Sequence, residues 1–420
     1  MLLKNNKRID KNNLRFFKFI PFFYNNLLLR LLLDLVISQV YKYLSEKMNY
    51  FDSYNWHKIL SLHPLKEYNI SEYFNILCPP HDYPDFLDKY ISLPVMQRLG
   101  GVGLLCGTDW TKLYKNRFFY SRLDHSIGVA LIIWHFTHDK VQTLAGLFHD
   151  VSTPVFSHVS DFRKGDALTQ TVTEAPTAKI IYNDKKLADL LSEDGLSAEQ
   201  IIDYHIYPIA DNEIPCLSAD RLEYMFPSGM ALDGSWKMEE IKKCYDDITI
   251  LKNENGVDEL GFKTLEIAEL YCRHFCMIGH ILQLNENKLT LELLGQIMNM
   301  AEKEFILTEN DFMSLSEKEV IEKLDNAKKS ERLEQYYKTF RTMTEIEHTE
   351  YELTNDSYFC ISLKVKQRYI NPLVAYENYE AAEGIIKGKR LSEISDTAFR
   401  IIEDFKTYND TLYGCVKLVK

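Results

Sequence analysis

The chain has 420 residues, enough for a large buried core and for two or three packed units. At 46% apolar and 26% charged it has the composition of an ordinary globular protein, which excludes a disordered, collagenous or coiled-coil chain. With 49 Lys and Arg against 61 Asp and Glu, the formal charge is −12 and the pI about 5.6, a balance that argues against extended nucleic acid as a partner.

The charge is unevenly placed, because residues 1 to 47 hold nine Lys/Arg and only three Asp/Glu. This basic start, followed by Phe19-Ile20-Pro21-Phe22-Phe23 and Leu27-Leu28-Leu29, has the outline of a signal or membrane anchor. Asn25, Asn26, Arg30 and Asp34 interrupt the apolar run before the roughly 18 residues a span needs, and no small-residue cleavage site follows. An interfacial helix is the alternative. The favoured reading treats 1–47 as a doubtful extension, starts the functional protein at Met48 and expects no membrane partner.

From about residue 86 to 300 the apolar residues recur with helical spacing, as at Ile127, Leu131 and Trp134, then at Val141, Leu144, Ala145 and Phe148. Pro154, Pro208, Pro215 and Pro227 fall between such runs, where helices stop. Residues 183–206 read as helix broken at Asp194-Gly195, and 315–343 as one charged amphipathic helix. Aromatic and β-branched residues at Tyr358 to Tyr369 and Thr411 to Val419 read as strands, with a helix over about 392–406 between them. The expected fold is all-α, with a helical core over 48–300 and a C-terminal region, 301–420, ending in a small α+β appendage. The eight cysteines form no CxxC pair. Cys272 and Cys276 flank His274 without further ligands at finger-like spacing, so all eight read as free thiols in a reducing cytoplasm.

The chemistry-bearing residues stand in four places: Arg122-Leu123-Asp124-His125, then His149-Asp150, then Phe156-Ser157-His158, then Asp220-Arg221 with Tyr224. A neutral imidazole beside a carboxylate at a helix end can face one cation. A histidine from the preceding helix and an aspartate from a later one complete a mixed nitrogen and oxygen shell for a divalent ion. Such a shell suits metal-assisted attack on a phosphate. Taken singly each piece is weak, since a buried histidine is more often structural than a ligand.

Together these residues resemble the HD-domain phosphohydrolase superfamily, and within it the deoxynucleoside-triphosphate triphosphohydrolase branch, over roughly Leu93 to Tyr224. The family's opening Gln-Arg-Leu stands here as Gln97-Arg98-Leu99, its Arg-Phe-x-His-Ser-Leu-Gly-Val as Arg122 to Val129, and its later elements as His149-Asp150, Phe156-Ser157-His158 and Asp220-Arg221 with Tyr224. Lys364 to Val374 is similar to a C-terminal element of these enzymes. The resemblance implies His125, His149, Asp150 and Asp220 as ligands of one divalent metal ion (Mn, Fe, Ni, Co, Zn or Mg). It implies His158, oriented by Asp161, and Arg122 as catalytic residues, and Arg122, Arg221, Tyr224 and Arg273 at the substrate. It also implies a small phosphorylated partner and a homo-oligomer. On the residues alone, Arg122 reads also as a solvated partner of Asp124, His158 as structural and Tyr224 as core.

The chain departs from the family at three positions. Thr153 stands where a histidine three residues beyond His-Asp is usual, Thr173-Glu174 replaces a His-Glu pair, and Leu104 replaces a sugar-reading glutamine. Threonine cannot act as acid or base near neutral pH. Two functions are therefore expected: a phosphohydrolase of nucleotides or related esters, or a non-catalytic nucleotide-binding sensor. Val151-Ser152-Thr153-Pro154 in place of Gly-Lys weighs against a cyclic-dinucleotide phosphodiesterase. Gly100-Gly101-Val102-Gly103 lacks the lysine and spacing of a phosphate loop.

Overall fold

The structure is a computed structural model that describes residues 69–169, 176–353, 357–380 and 386–420. The 1–47 extension, the Met48 start and Thr173-Glu174 lie outside the described residues.

Helix α1 (Ile70–Leu77) opens the described chain, with Asn69 capping it. The central pair is α2 (Arg122–Thr137) and α3 (Lys140–Phe148). Ser121 and Asp124 form a capping box that starts α2, and His138 at φ 50° ends it. Asp139 then caps α3, so two residues reverse the chain and the two helices pack antiparallel. Val129 to Ile133 are all buried, which marks α2 as an interior helix, apolar on every side. The short α4 (Val159–Arg163) follows a loop that carries His149-Asp150 at its start. Helix α5 (Ala219–Leu232) begins at the Ser218 cap and packs on α2. The long helices α6 (Leu265–Gln283) and α7 (Asn285–Lys303) close the body.

Several findings differ from the sequence expectations. The chain is mostly helical but holds two sheets, so all-α describes it only roughly. Strands β1 (Ile248–Lys252) and β2 (Asp258–Phe262) form an antiparallel hairpin inside the stretch read as helical. Its turn is built by Asn253, whose side chain accepts from Asn255 N and Val257 N, and by Gly256 at φ 75°. The expected single helix over 315–343 is two, α8 (Glu317–Asn326) and α9 (Glu331–Thr342). Pro227 lies inside α5 rather than between helices. A proline there leaves the Glu223 carbonyl without its helical N–H, and the Tyr73 hydroxyl lies 3.4 Å from that oxygen.

After α9 come β3 (Glu347–Thr349) and β4 (Tyr358–Ile361), which is shorter than the expected Tyr358–Tyr369. Then follow β5 (Leu373–Glu380), β6 (Ile386–Arg390), α10 (Asp396–Thr407) and β7 (Tyr413–Lys417). Strands β1, β2, β5 and β6 close into a small barrel, so segments on either side of residue 300 share one sheet; β3, β7 and β4 form a second. Cys360 and Cys415 face each other across β4 and β7 and are joined by a disulfide, which corrects the expectation of eight free thiols. The remaining six are free. Among the described residues no helix is long and apolar enough to cross a membrane.

Candidate metal centre and active-site cavity

The tight α2–α3 turn brings His125, one turn into α2, against His149 at the end of α3. Their Nε2 atoms lie 3.2 Å apart. The Ser218 cap sets Asp220 in the first turn of α5, with Oδ1 at 3.0 Å from His125 Nε2 and 3.8 Å from His149 Nε2. The Ser218 region is held from the barrel: Leu217 N donates to Glu259 on β2, which also accepts from Arg390 at the end of β6. Asp150 Oδ2 lies 3.5 Å from His149 Nε2 and 3.8 Å from His125 Nε2. A cation held at about 2.1 Å by each donor puts neighbouring donors about 3 Å apart. These separations fit that geometry, and the donors of His125, His149 and Asp220 all lie within 4.8 Å of one another.

Both rings are fixed from behind. His149 Nδ1 donates to the Gly146 carbonyl at 2.7 Å, and His125 Nδ1 meets Glu223 Oε2 at 2.5 Å. Glu223, fully buried, also accepts from the hydroxyls of Tyr73 and Tyr120, at 3.0 and 2.6 Å. With both Nδ1 positions occupied, the two Nε2 atoms are turned toward each other and toward the carboxylates of Asp220 and Asp150. That arrangement is unfavourable until positive charge enters between them. The electrostatics agree. Burial disfavours charge on His125, yet Asp220 and Glu223 outweigh it and lift its pKa to about 10. Burial would raise Asp150 and Asp220, but the Arg122 guanidinium holds Asp150 well below the usual carboxylate range and His125 does the same for Asp220. The field that draws a proton onto Nε2 also draws a divalent cation, and the two compete. The donors present therefore fit a mixed-shell divalent ion.

A cavity of about 350 Å³ opens over this cluster, within the size range of small-molecule sites. Arg122, His125, His149, Asp150, His158, Asp220, Arg221 and Tyr224 all line it, as does Leu104, while Asp161 supports it from behind. Arg122 Nη1 donates to Asp150 Oδ2 at 2.7 Å and Nε to Ser157 Oγ at 3.0 Å, so it is not a solvated partner of Asp124. His158 Nδ1 bonds Asp161 Oδ2 at 2.9 Å. Burial, with Arg368 and Arg122, pushes its pKa down against the opposing pull of Asp161. Thr153 donates to Asp150 Oδ1 at 2.9 Å. Arg221 is tied to the loop before α5, through Cys216 O at 2.8 Å and through Asn212 and Asp211.

Arg273 is not among the residues that line the cavity, where the resemblance placed it; Arg368, from the Lys364–Val374 element, is. Sequence reasoning also passed over Glu223 and Ser157. Glu223 stands one helical turn from Asp220 on the same face, a spacing that points both at one partner. Ser157 belongs to the Phe-Ser-His motif but carries no titratable group.

No family model matches the chain. It is 24% identical over 310 residues to the uncharacterized protein YdhJ of Bacillus subtilis, covering 72% of this chain and 88% of that one. It is 26% identical over 128 residues to the metal-dependent phosphohydrolase cns2 of Cordyceps militaris, covering 30% of this chain and 36% of cns2. Among solved structures, a hypothetical protein from Aquifex aeolicus superposes with a TM-score of 0.53 at 16% identity, over 80% of this chain and 92% of that one. A phosphohydrolase from Bacteroides thetaiotaomicron superposes with a TM-score of 0.53 at 14% identity, over 79% and 96%. At 14% and 16% identity, the two solved structures show a fold shared with this chain.

Proposed function

We propose that this protein is a metal-dependent phosphohydrolase acting on a nucleotide or a similar small phosphate ester, with His125, His149, Asp150 and Asp220 as ligands of one divalent cation. The observation that carries this reading is the pair of Nε2 atoms 3.2 Å apart, each ring pinned through Nδ1, with two carboxylates beside them. A bound cation supplies Lewis acidity toward a phosphoryl oxygen and lowers the pKa of a water. Arg122, anchored on Ser157 and Asp150, presents its remaining N–H groups to the phosphoryl oxygens. His158, its Nδ1–H held by Asp161, keeps a neutral ring whose Nε2 accepts a proton. Thr153 moves no proton; its hydroxyl fixes the orientation of Asp150. Tyr224 and Arg221 border the space for the organic part, Arg221 shaping the wall through its loop contacts. Cleavage of a triphosphate, as in the branch the sequence resembles, belongs to this proposal.

A non-catalytic nucleotide sensor is the second reading, favoured by the hydroxyl of Thr153 standing where an acid–base group is usual. The test is His149→Ala combined with Asp150→Ala, with metal analysis and a phosphate-release screen over nucleoside mono- and triphosphates in Mn, Fe, Co, Ni and Mg. The expected result is loss of bound metal and of phosphate release with the helical circular dichroism retained. A parent protein that binds nucleotide yet releases no phosphate in any of these metals would establish the sensor instead.

A further inference from the structure

The glycine-rich run Gly100 to Gly103 is where the N-terminus of α8 lies against the body. A Cβ at Gly101 would meet Ser316 Cβ at 2.5 Å; one at Gly103 would meet the Phe119 ring at 3.0 Å and Glu317 Oε1 at 3.2 Å. The glycines are there because a distant helix comes this close. Glu317, the first residue of α8, is 1% exposed. Its Oε1 accepts from Gly103 N at 2.9 Å and its Oε2 from Trp110 Nε1 at 2.7 Å.

From Gly103 the bonding continues into the candidate active site. The Gly103 carbonyl accepts from the Ser157 hydroxyl at 3.0 Å, Ser157 Oγ accepts from Arg122 Nε at 3.0 Å, and Arg122 Nη1 donates to Asp150 at 2.7 Å. Ser157 is fully buried and left-handed, at φ 52°, directly after Phe156 at φ 61°. Two successive non-glycine residues in that region persist only where the surroundings impose them. Burial and the nearby Asp109 push the Glu317 carboxyl up to about 8, while its bonds from Trp110 and Gly103 and the charge of Arg122 favour the ionised form.

We infer that Glu317 is a positioning residue for the candidate active site, setting the Arg122 guanidinium through Gly103 and Ser157, so that the C-terminal region helps build the phosphate-binding end of the cavity. This rests on the phosphohydrolase reading of that site. The experiment titrates inorganic phosphate into the Mn-loaded full chain by calorimetry and counts bound Mn. Glu317→Ala is expected to weaken phosphate binding about 10- to 100-fold with Mn stoichiometry unchanged. Glu317→Gln, which keeps one acceptor for Gly103 N, recovers part of the loss. In an Arg122→Ala background Glu317→Ala adds nothing, because its effect travels through the guanidinium. Should Glu317→Ala fail to fold, Ser157→Ala breaks the same path from inside and is held to the same pattern. Parent-like phosphate affinity in the folded variant, or an equal further loss on top of Arg122→Ala, overturns the inference while leaving the phosphohydrolase reading intact. A Mn-loaded parent that binds no phosphate overturns both.

Discussion

His125 is gripped at both ring nitrogens by one helix, because Asp220 and Glu223 lie one turn apart on α5, the first against Nε2 and the second against Nδ1. Glu223 acts as the anchor: three donors from α1, from the segment before α2 and from α2 itself meet its buried carboxylate. Glu223→Gln replaces an acceptor with an amide that must turn a donor toward one of them. The expected outcome is metal affinity lowered about 10- to 100-fold with the fold retained, read by competition with a chelator. At this scale His125, His149, Asp150 and Asp220 were put together through the family resemblance, because residue type and order alone left each piece weak, and the structure brings their side chains beside one another. Glu223 and Ser157 were passed over. A glutamate on a helix reads as a solvated charge and a serine as nothing in particular, until residues 35 to 150 positions away are brought beside them.

At the scale of elements, α2, α3 and α5 must approach closely for the site to exist, and small residues allow it. A Cβ at Gly128 on α2 would stand 2.5 Å from Glu223 Oε1, a carboxylate that three hydrogen bonds hold in place. Gly128→Ala is therefore expected to destabilise by about 1–3 kcal/mol in urea unfolding, and to weaken metal retention with it, since displacing Oε1 shifts the carboxylate whose other oxygen, Oε2, orients His125. The central helices were legible from their apolar period, and in the structure Ser121 and Asp139 cap them. The β1–β2 hairpin was not, although Asn255-Gly256 is a turn signal, because flanking apolar residues satisfied a helical period as readily as a strand. The helix at Pro227 escaped because tertiary contacts, not propensity, decide whether a proline's orphaned carbonyl can be tolerated. The break between α8 and α9 left too weak a mark in a uniformly charged stretch.

On the scale of the molecule, the C-terminal sheet is fastened to the body by an ion pair that uses both nitrogens of one imidazole. His348 on β3 meets Glu286, at the start of α7, at 3.1 Å and Asp410, ahead of β7, at 3.2 Å. Asp410 also accepts from Asn285 N at 2.7 Å. Hydrogen bonds to Asp410 and Glu286 lift the His348 pKa from 6.5 to about 10 against partial burial. A raised folded-state value means the charged ring stabilises the fold fully below about 6.5, and that contribution is lost as pH climbs through about 10. His348→Gln is accordingly expected to cost about 1.5–3 kcal/mol near pH 6, toward the low end given its partial exposure. The gap to the parent should close by about pH 10.5, as read from unfolding midpoints across that range. A gap that widens with pH would contradict the pairing.

Tyr73 gives the architecture one more property. It sits on α1, far ahead of the first candidate ligand, yet its hydroxyl ends on the carboxylate that steadies His125. The smallest excisable piece able to preserve this arrangement is thus longer than the stretch spanned by the candidate donors: a fragment trimmed to 125–220 would keep all four side chains and discard Glu223, Tyr73 and Tyr120, the scaffold that aims one of them.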